Sequence, residues 1–273
     1  MTTPTMGHEC TFSVGGTSVH GWCTLAKRGT HLERDGMRGT RSHDVDDVVD
    51  GPYTVSGQII LNPTNTELVL LDVKAIGASG VVTETVPEFA VIVDKGQAVY
   101  TYGNCKVDRF TLRGRQGELL ELVCDVSGKT ETVAGSAPAE PASALPFWFD
   151  GVTLILQSSA REVEEFELVI DNALVKDRFQ NSQTVTDLLE GDRNVTLRTV
   201  HGYSSNTSGL YGQAIAGATG TLAVSDGTST RTYTFGKLQV PADGVEIRDK
   251  GEQRLTLNMV ARKDGATKEI AAA

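Results

Sequence analysis

The amino-terminal part of the chain contains several residues that could bind a metal ion: His8, Cys10, His20, Cys23, His31 and His43. Zinc sites need such ligands at short, regular spacings, such as CxxC or HxxxH, and neither spacing occurs here. Cys10 and Cys23 fall in segments that we predict to be strands, where a free cysteine behaves as a small core residue. The pattern therefore predicts no metal site, and no other cofactor motif is present.

An acidic run follows the last of these histidines and resembles a calcium-binding loop in composition: Asp44, Asp46, Asp47 and Asp50. The run lacks the glycine and the terminal glutamate that such a loop has at fixed positions. We therefore interpret it as a solvated or partner-facing cluster of negative charge.

The sequence also lacks motifs for nucleophilic or phosphoryl-transfer chemistry, since it has neither a GxSxG elbow nor a GxxxxGK[ST] loop. With five histidines a Ser/His/Asp arrangement stays open. Adjacent carboxylates such as Glu164 and Glu165 fit an exposed strand face better than a glycosidase site. We predict that the protein is not an enzyme.

Five basic residues lie close to the acidic run: Lys27, Arg28, Arg34, Arg38 and Arg41. Aromatic residues are absent among them and opposite charges are adjacent, so the signal for nucleic-acid binding is weak. A surface of mixed charge suits docking on a like subunit, because complementary charges steer partners and fix their register.

The composition sets the broad class of the protein. The net charge of −10 argues against affinity for DNA or an anionic membrane. Residues 1–9 are polar and lack the features of a signal peptide, and the longest apolar stretch, 145–156, is too short to span a bilayer. We expect no export, no membrane anchor, and four reduced cysteines without a required disulfide.

The elements that would position these residues are repeated along the chain. A shift of 142 positions places Phe12 and Val14 on Leu154 and Leu156, and residues 53–59 on residues 195–201. We predict a first domain over 8–133, a Pro- and Ala-rich linker over 134–146, and a second domain over 147–267. Tandem domains are typical of assembly proteins, because the two copies can occupy equivalent places in a ring.

Each predicted domain is mainly β, a β-sandwich or open barrel with one flanking helix. The first helix has a clear start in the capping box of Thr64 and Glu67, and Gly77 ends it. Residues 26–51 have no such pattern and are predicted as a long loop, of the kind that is usually functional. Residues 171–193 replace this loop in the second domain, with a short helix predicted over 182–189.

Read in order, several short segments resemble the phage tail tube protein family of siphophage type. They are residues 33–42 (ERDGMRGTRS), 53–57 (YTVSG), the helix over 64–77, 87–89 (PEF), 105–108 (CKVD), 125–129 (DVSGK), 166–174 (FELVIDNAL), 210–213 (LYGQ) and 235–242 (FGKLQVPA). Together they extend over nearly the whole chain, from about residue 10 to residue 263.

The resemblance implies a structural virion protein, the major subunit of the tail tube. Such subunits form stacked rings whose long strands join a continuous inner β-barrel, through which double-stranded DNA passes without specific binding. A duplicated subunit implies a homotrimeric, pseudo-hexameric ring, with a hexamer as the alternative. It also implies tape measure and tail terminator or tip proteins as partners. The location is the virion tail, after assembly in the host cytoplasm.

The resemblance also assigns roles to segments. The loop over 26–51 would stack one ring on the next, through Arg28, His31, Glu33, Arg34, Asp35, Arg38, Arg41, Asp44, Asp46 and Asp47. Strands over 53–61, 106–127, 194–200 and 244–262 would line the lumen, with the polar residues Glu121, Asp125, Thr256 and Asn258 facing it. From the net charge we expect an acidic lumen.

An alternative function is a carbohydrate- or surface-binding β-sandwich, as in a receptor-binding or adhesin module. Such sites favour exposed tryptophan and tyrosine platforms, and the chain has only 8 Phe, 6 Tyr and 2 Trp. Trp22 and Trp148 lie in apolar contexts and are predicted to be core residues.

Overall fold

Antiparallel strands dominate the computed structural model, which describes residues 10–33, 48–77, 85–203, 207, 209–240, 254–265 and 267–273. The first half contains β1 (Phe12–Val14), β2 (Thr17–Ser18), β3 (Trp22–Cys23), β4 (Ala26–Glu33), β5 (Val48–Leu61), α1 (Asn65–Ile76), β6 (Phe89–Asp94), β7 (Val99–Arg115), β8 (Glu121–Gly128) and β9 (Thr130–Val133). The second half contains β10 (Val152–Leu156), β11 (Ser159–Arg161), β12 (Glu165–Asp171), β13 (Asn194–Gly202), α2 (Leu210–Ala216), β14 (Ala218–Ser225), β15 (Thr230–Gln239), β16 (Arg254–Arg262) and β17 (Ile270–Ala272).

The two halves have the same strand connectivity. In the first half, one layer has the order β2-β1-β6-β7-β9 and the other the order β7-β8-β5-β4. In the second half, the corresponding orders are β11-β10-β14-β15-β17 and β15-β16-β13-β12. The repeat seen in the sequence is therefore matched by a repeat of topology, with one helix in each half.

One long strand in each half belongs to both layers. The first residues of β7 pair with β6 and β9, and the residues after Cys105 pair with β8. This strand stays continuous although Asn104 has φ 52° and the register with β8 shifts between Val107 and Arg109, because such irregularities bend a strand without ending its pairing.

A strand pair joins the two halves. β7 pairs with β12 in antiparallel register, from Arg115 opposite Glu165 to Arg109 opposite Asp171. The ring of Phe166 occupies the space beside Gly114, where an added Cβ would lie 2.8 Å from its Cε1 atom. The β7-β8-β5-β4 layer of the first half and the β15-β16-β13-β12 layer of the second thus merge into one open sheet, β4-β5-β8-β7-β12-β13-β16-β15, which we call the joined sheet. The other layer of each half is its outer layer.

Side chains on one face of the joined sheet form a core with the outer layers and the helices. Leu122, Cys124 and Val126 alternate inward along β8, as the sequence predicts, and pack in one hydrophobic cluster with residues of both halves. This burial is the main favourable term for the fold. The capping box of α1 is present, with Thr64 Nα donating to Glu67 Oε2 at 2.9 Å.

Two sequence-based predictions about the long connections are wrong. Residues 26–51 are not a loop throughout, because 26–33 and 48–51 belong to β4 and β5 and pair from Ala26 opposite Ser56 to Glu33 opposite Val48. The charged residues of β4 hide the apolar alternation by which a strand is recognised. Residues 182–189 are not a helix; their backbone groups bond to other segments, as in the bond from Tyr53 N to Gln183 O.

Candidate assembly surfaces

A buried ion pair holds the helix of the first half against the outer layer of the second. Asp72 of α1 is fully buried and accepts hydrogen bonds from Arg231 Nε at 2.7 Å and Nη2 at 3.0 Å. Tyr233 Oη donates to the same carboxylate at 3.4 Å. Burial raises the pKa of Asp72 to about 6, and the hydrogen bonds and charge of Arg231 oppose this shift only in part.

The connection after β12 lies across the first half. Asn172 Nδ2 donates to Val107 O at 2.9 Å and to Ala75 O, at the end of α1, at 3.1 Å. Further along, Lys106 Nζ contacts Glu190 Oε1 at 2.7 Å. The segment from β12 to β13 is therefore part of the junction between the halves.

The second face of the joined sheet is polar and carries rows of charge. Strand register places Asp125, Arg109 and Asp171 in one row. A parallel row contains Glu121, Arg113, Glu167, Arg198 and Asn258. Arg113 Nη2 lies 2.8 Å from Glu121 Oε1, and Arg198 forms an ion pair with Glu165. Within these two rows acids and arginines alternate from strand to strand, whereas Lys237 of β15 lies opposite Arg262 of β16.

Comparison with protein families distinguishes a tail tube protein from a carbohydrate- or surface-binding β-sandwich. A family model described as phage tail tube protein matches residues 3–261. The chain belongs to the phage tail tube protein family. Members of this family have a structural role in the virion tail, where tube subunits assemble with one another, and the family is not a class of enzymes. The chain matches no individually curated protein.

The four predicted lumen residues of this tail tube subunit lie on the polar face of the joined sheet. Glu121 and Asp125 are half-buried in β8, and Thr256 and Asn258 are exposed in β16. The arginines of this face and the strand β12 were not among the residues and strands predicted from the sequence to line the lumen. The alternation of Arg109, Thr111 and Arg113 with apolar residues was the sequence signal that could have placed these arginines on the polar face. Because arginines intervene between the carboxylates, this face of the tail tube subunit carries charges of both signs.

The ten predicted stacking residues are described only in part. Arg28 is exposed in β4, and the backbones of His31 and Glu33 belong to the same strand. The other seven lie outside the described residues: Arg34, Asp35, Arg38, Arg41, Asp44, Asp46 and Asp47.

The described histidines have structural contacts in the tail tube subunit. His201 is buried between Thr199 Oγ1, 2.8 Å from Nε2, and Glu162 O, 2.6 Å from Nδ1. Burial lowers the pKa of His201. His20 Nδ1 lies 2.7 Å from Glu67. Within the described ranges, no three His, Cys, Asp or Glu side chains are grouped so that they could hold a metal ion.

Two further observations concern apolar surface. Trp22, predicted as a core residue, is 59% exposed because β3 lies at the free side of β5, where no described strand covers it.

Among the described helices of the tail tube subunit, none has the length and apolar character needed to cross a membrane.

Proposed function

We propose that three copies of this chain close into a ring with six pseudo-equivalent domains, and that the rings stack into a hollow tube through which double-stranded DNA passes. The observation that supports the ring most directly is the pairing of β7 with β12. It is a head-to-tail contact between two units of the same topology, and such contacts can repeat until they close.

The positions of the strands explain how the contact would repeat. β4 occupies in the first half the position that β12 occupies in the second, each as the neighbour of the strand that precedes the helix. β15 likewise corresponds to β7. Pairing between the β15 side of one chain and β4 of the next would extend the joined sheet around the ring. Closure would also protect sheet edges that otherwise promote non-specific aggregation.

The polar face of the joined sheet is the surface that we assign to the lumen, including Glu121, Asp125, Thr256 and Asn258. The arginines of its two charge rows, Arg109, Arg113 and Arg198, have carboxylate neighbours and are therefore less available to phosphates. Affinity for DNA depends on such cations through the release of counterions. A charge-balanced wall with a net negative subunit would let DNA slide without specific binding.

Stacking of rings is the role that we propose for the segment 26–51, whose described ends pair as β4 and the start of β5 at the edge of the joined sheet. Its alternating charges would fix the register of one ring on the next. The tape measure and the tail terminator or tip proteins would be the further partners, with assembly in the host cytoplasm.

Electron microscopy and native mass spectrometry of the purified protein test this function. We expect stacked rings or tubes in negative stain, and a closed species of three chains in the mass spectrum. A ring of six chains would disprove the pseudo-hexamer but keep the tube. Single chains under all concentrations and salt conditions would disprove self-assembly.

A further inference from the structure

The two helices have equivalent positions in their halves, but the other half of the chain buries one side of α1 and leaves the corresponding side of α2 exposed. α1 contacts β15 and β17 of the second half. Asp72 on this side of α1 is fully buried and Val73 is half-buried. Under the shift of 142 positions, Val69 and Val73 correspond to Tyr211 and Ile215 of α2. Ile215 is 40% exposed, so the corresponding side of α2 carries an apolar surface that the chain leaves open.

In the outer layers the difference is reversed, because the site in the second half is buried and the corresponding site in the first half is exposed. Tyr233 of β15 lies opposite Ala272 of β17, and both are buried where α1 meets this layer. In the first half, Tyr100 of β7 lies opposite Val133 of β9 in the same arrangement.

Register confirms that Tyr100 and Tyr233 correspond. Tyr100 is opposite Val93, which is opposite Phe12, whereas Tyr233 is opposite Leu222, which is opposite Leu154. Phe12 and Leu154 are themselves related by the sequence shift.

The exposure of the two sites differs strongly. Tyr233 is 0% exposed, whereas Tyr100 is only half-buried and Val133 is 65% exposed. Lys95 Nζ lies over the Tyr100 ring, 4.3 Å from its centre, so one face of this ring contacts an ammonium group. The first half therefore carries, at the site that α1 covers in the second half, an open patch of Tyr100 and Val133.

We propose that α2 of one subunit docks through Tyr211 and Ile215 on Tyr100 and Val133 of a second copy of this chain. This inference rests on the proposed ring, and it names the contact between neighbouring subunits. The internal junction provides the template, because α1 lies on Tyr233 and Ala272 on the outer side of the β7–β12 pair. Burial of the two apolar surfaces against each other removes both from water.

The contact between subunits differs from its internal template in charge. Asp72 corresponds to Ala214 in α2, and Arg231 corresponds to Ala98 by the same register. The contact between subunits therefore lacks a counterpart of the Asp72–Arg231 ion pair, and its nearby cation is Lys95 over the Tyr100 ring. Ala98 supplies no guanidinium for Asp72, and a buried carboxylate without its partner is costly. This difference favours α2 over α1 as the occupant of the open patch, and so fixes the alternation of halves around the ring.

Disulfide trapping tests the contact directly. Ile215→Cys and Val133→Cys are combined in one chain, with Cys10→Ser and Cys23→Ser to remove the more accessible thiols. Mild oxidation should give a non-reducing ladder that ends at three chains. The control replaces Ile215→Cys by Ile155→Cys, because Ile155 is 36% exposed and alternates with the buried Leu154 and Leu156. A ladder no stronger than that of the control would overturn the contact.

Charge substitution gives a second readout that separates this contact from the tube itself. Ile215→Asp should leave the thermal unfolding of the unassembled chain unchanged and reduce sedimentable tubes at least about tenfold, as expected when a buried contact is lost. Ile155→Asp should assemble like the wild type. If wild-type tubes form and Ile215→Asp tubes are equally abundant, the contact is wrong and the tube stands. If the wild type forms neither rings nor tubes, both proposals fail.

Discussion

The two halves of the chain share one connectivity but differ in what the chain itself covers. In the second half, α1 covers the outer layer and Tyr233 is fully buried. In the first half, the corresponding Tyr100 is half-buried and Val133 is open to solvent. The chain itself thus completes one of two equivalent junctions, and the other is the site that we propose for a neighbouring subunit.

The long connections differ in a related way. Residues 172–193 lie across the first half of their own chain, through Asn172 and through the contact of Lys106 with Glu190. In the first half, the strands that flank the corresponding connection, β4 and β5, pair with each other at the edge of the joined sheet. A connection that faces its own chain has its hydrogen-bond partners within that chain, whereas one at the free edge presents charged side chains such as Arg28.

The largest effect should come from truncating the covered tyrosine. Tyr233→Ala removes a fully buried ring and should lower the free energy of unfolding of the unassembled chain by about 3–5 kcal/mol. Tyr100→Ala removes a half-buried ring and should lower it by only about 1 kcal/mol. Urea unfolding at a concentration below assembly measures both values.

Assembly should reverse this order of importance. Tyr100→Ala should impair tube formation although its unassembled chain stays folded, because Tyr100 belongs to the proposed contact between subunits. Equal losses of stability for the two variants would contradict the difference in cover. Normal tubes from Tyr100→Ala would show that its ring does not contribute to docking.

Breaking the buried ion pair should have the next largest effect. The Arg231 side chain is only 11% exposed and that of Asp72 is 0% exposed. Arg231→Met leaves the Asp72 carboxylate buried without its partner and should therefore destabilise the chain by about 3 kcal/mol. The double variant Asp72→Leu with Arg231→Met replaces the pair by apolar side chains and should recover most of this loss. A double variant that is less stable than Arg231→Met, by urea unfolding, would mean that the pair is not the source of the effect.

The repeat and the first helix could be predicted from the sequence because they depend on local signals. The capping box needs only Thr64 and Glu67 at the right spacing, and α2 lies within 207–218, the range on which the shift of 142 positions places α1. β4 was missed because Lys27 and Arg28 are exposed on an edge strand and show no apolar alternation. The pairing of β7 with β12 joins residues far apart in sequence, and no local pattern specifies such a partner.

The ion pair and the mixed charge of the polar face could not be predicted for a related reason. Asp72 and Arg231 are 159 positions apart, and each alone fits a solvated charge. The net charge of −10 describes the whole chain and says nothing about which face carries Arg109, Arg113 and Arg198. Only strand register places these arginines between carboxylates.

The smallest predicted effect concerns the N-terminal caps, in which the two helices differ. α1 has a side-chain cap, whereas Gly209 at the start of α2 provides no side-chain hydrogen bond. Burial opposes ionisation of Glu67, but hydrogen bonds from His20 and Thr64 outweigh it and lower the pKa of Glu67 below its ordinary 4.5. Glu67→Gln should therefore cost about 1 kcal/mol at neutral pH, in the range of a lost cap.

The pH dependence of this loss follows from the direction of the shift. A carboxyl group with a lowered pKa in the folded state contributes stability above its unfolded value, and this contribution is lost as the pH falls through the folded value. The difference between wild type and Glu67→Gln should therefore be full above pH 4.5 and shrink in more acidic buffer. Glu140→Gln, at an exposed position of the linker, serves as the control and should show no difference at either pH. A difference for Glu67→Gln that stays constant into acid would mean that the amide has lost packing and not an ionised cap, and α1 would then owe its position to packing against β7 and the second half.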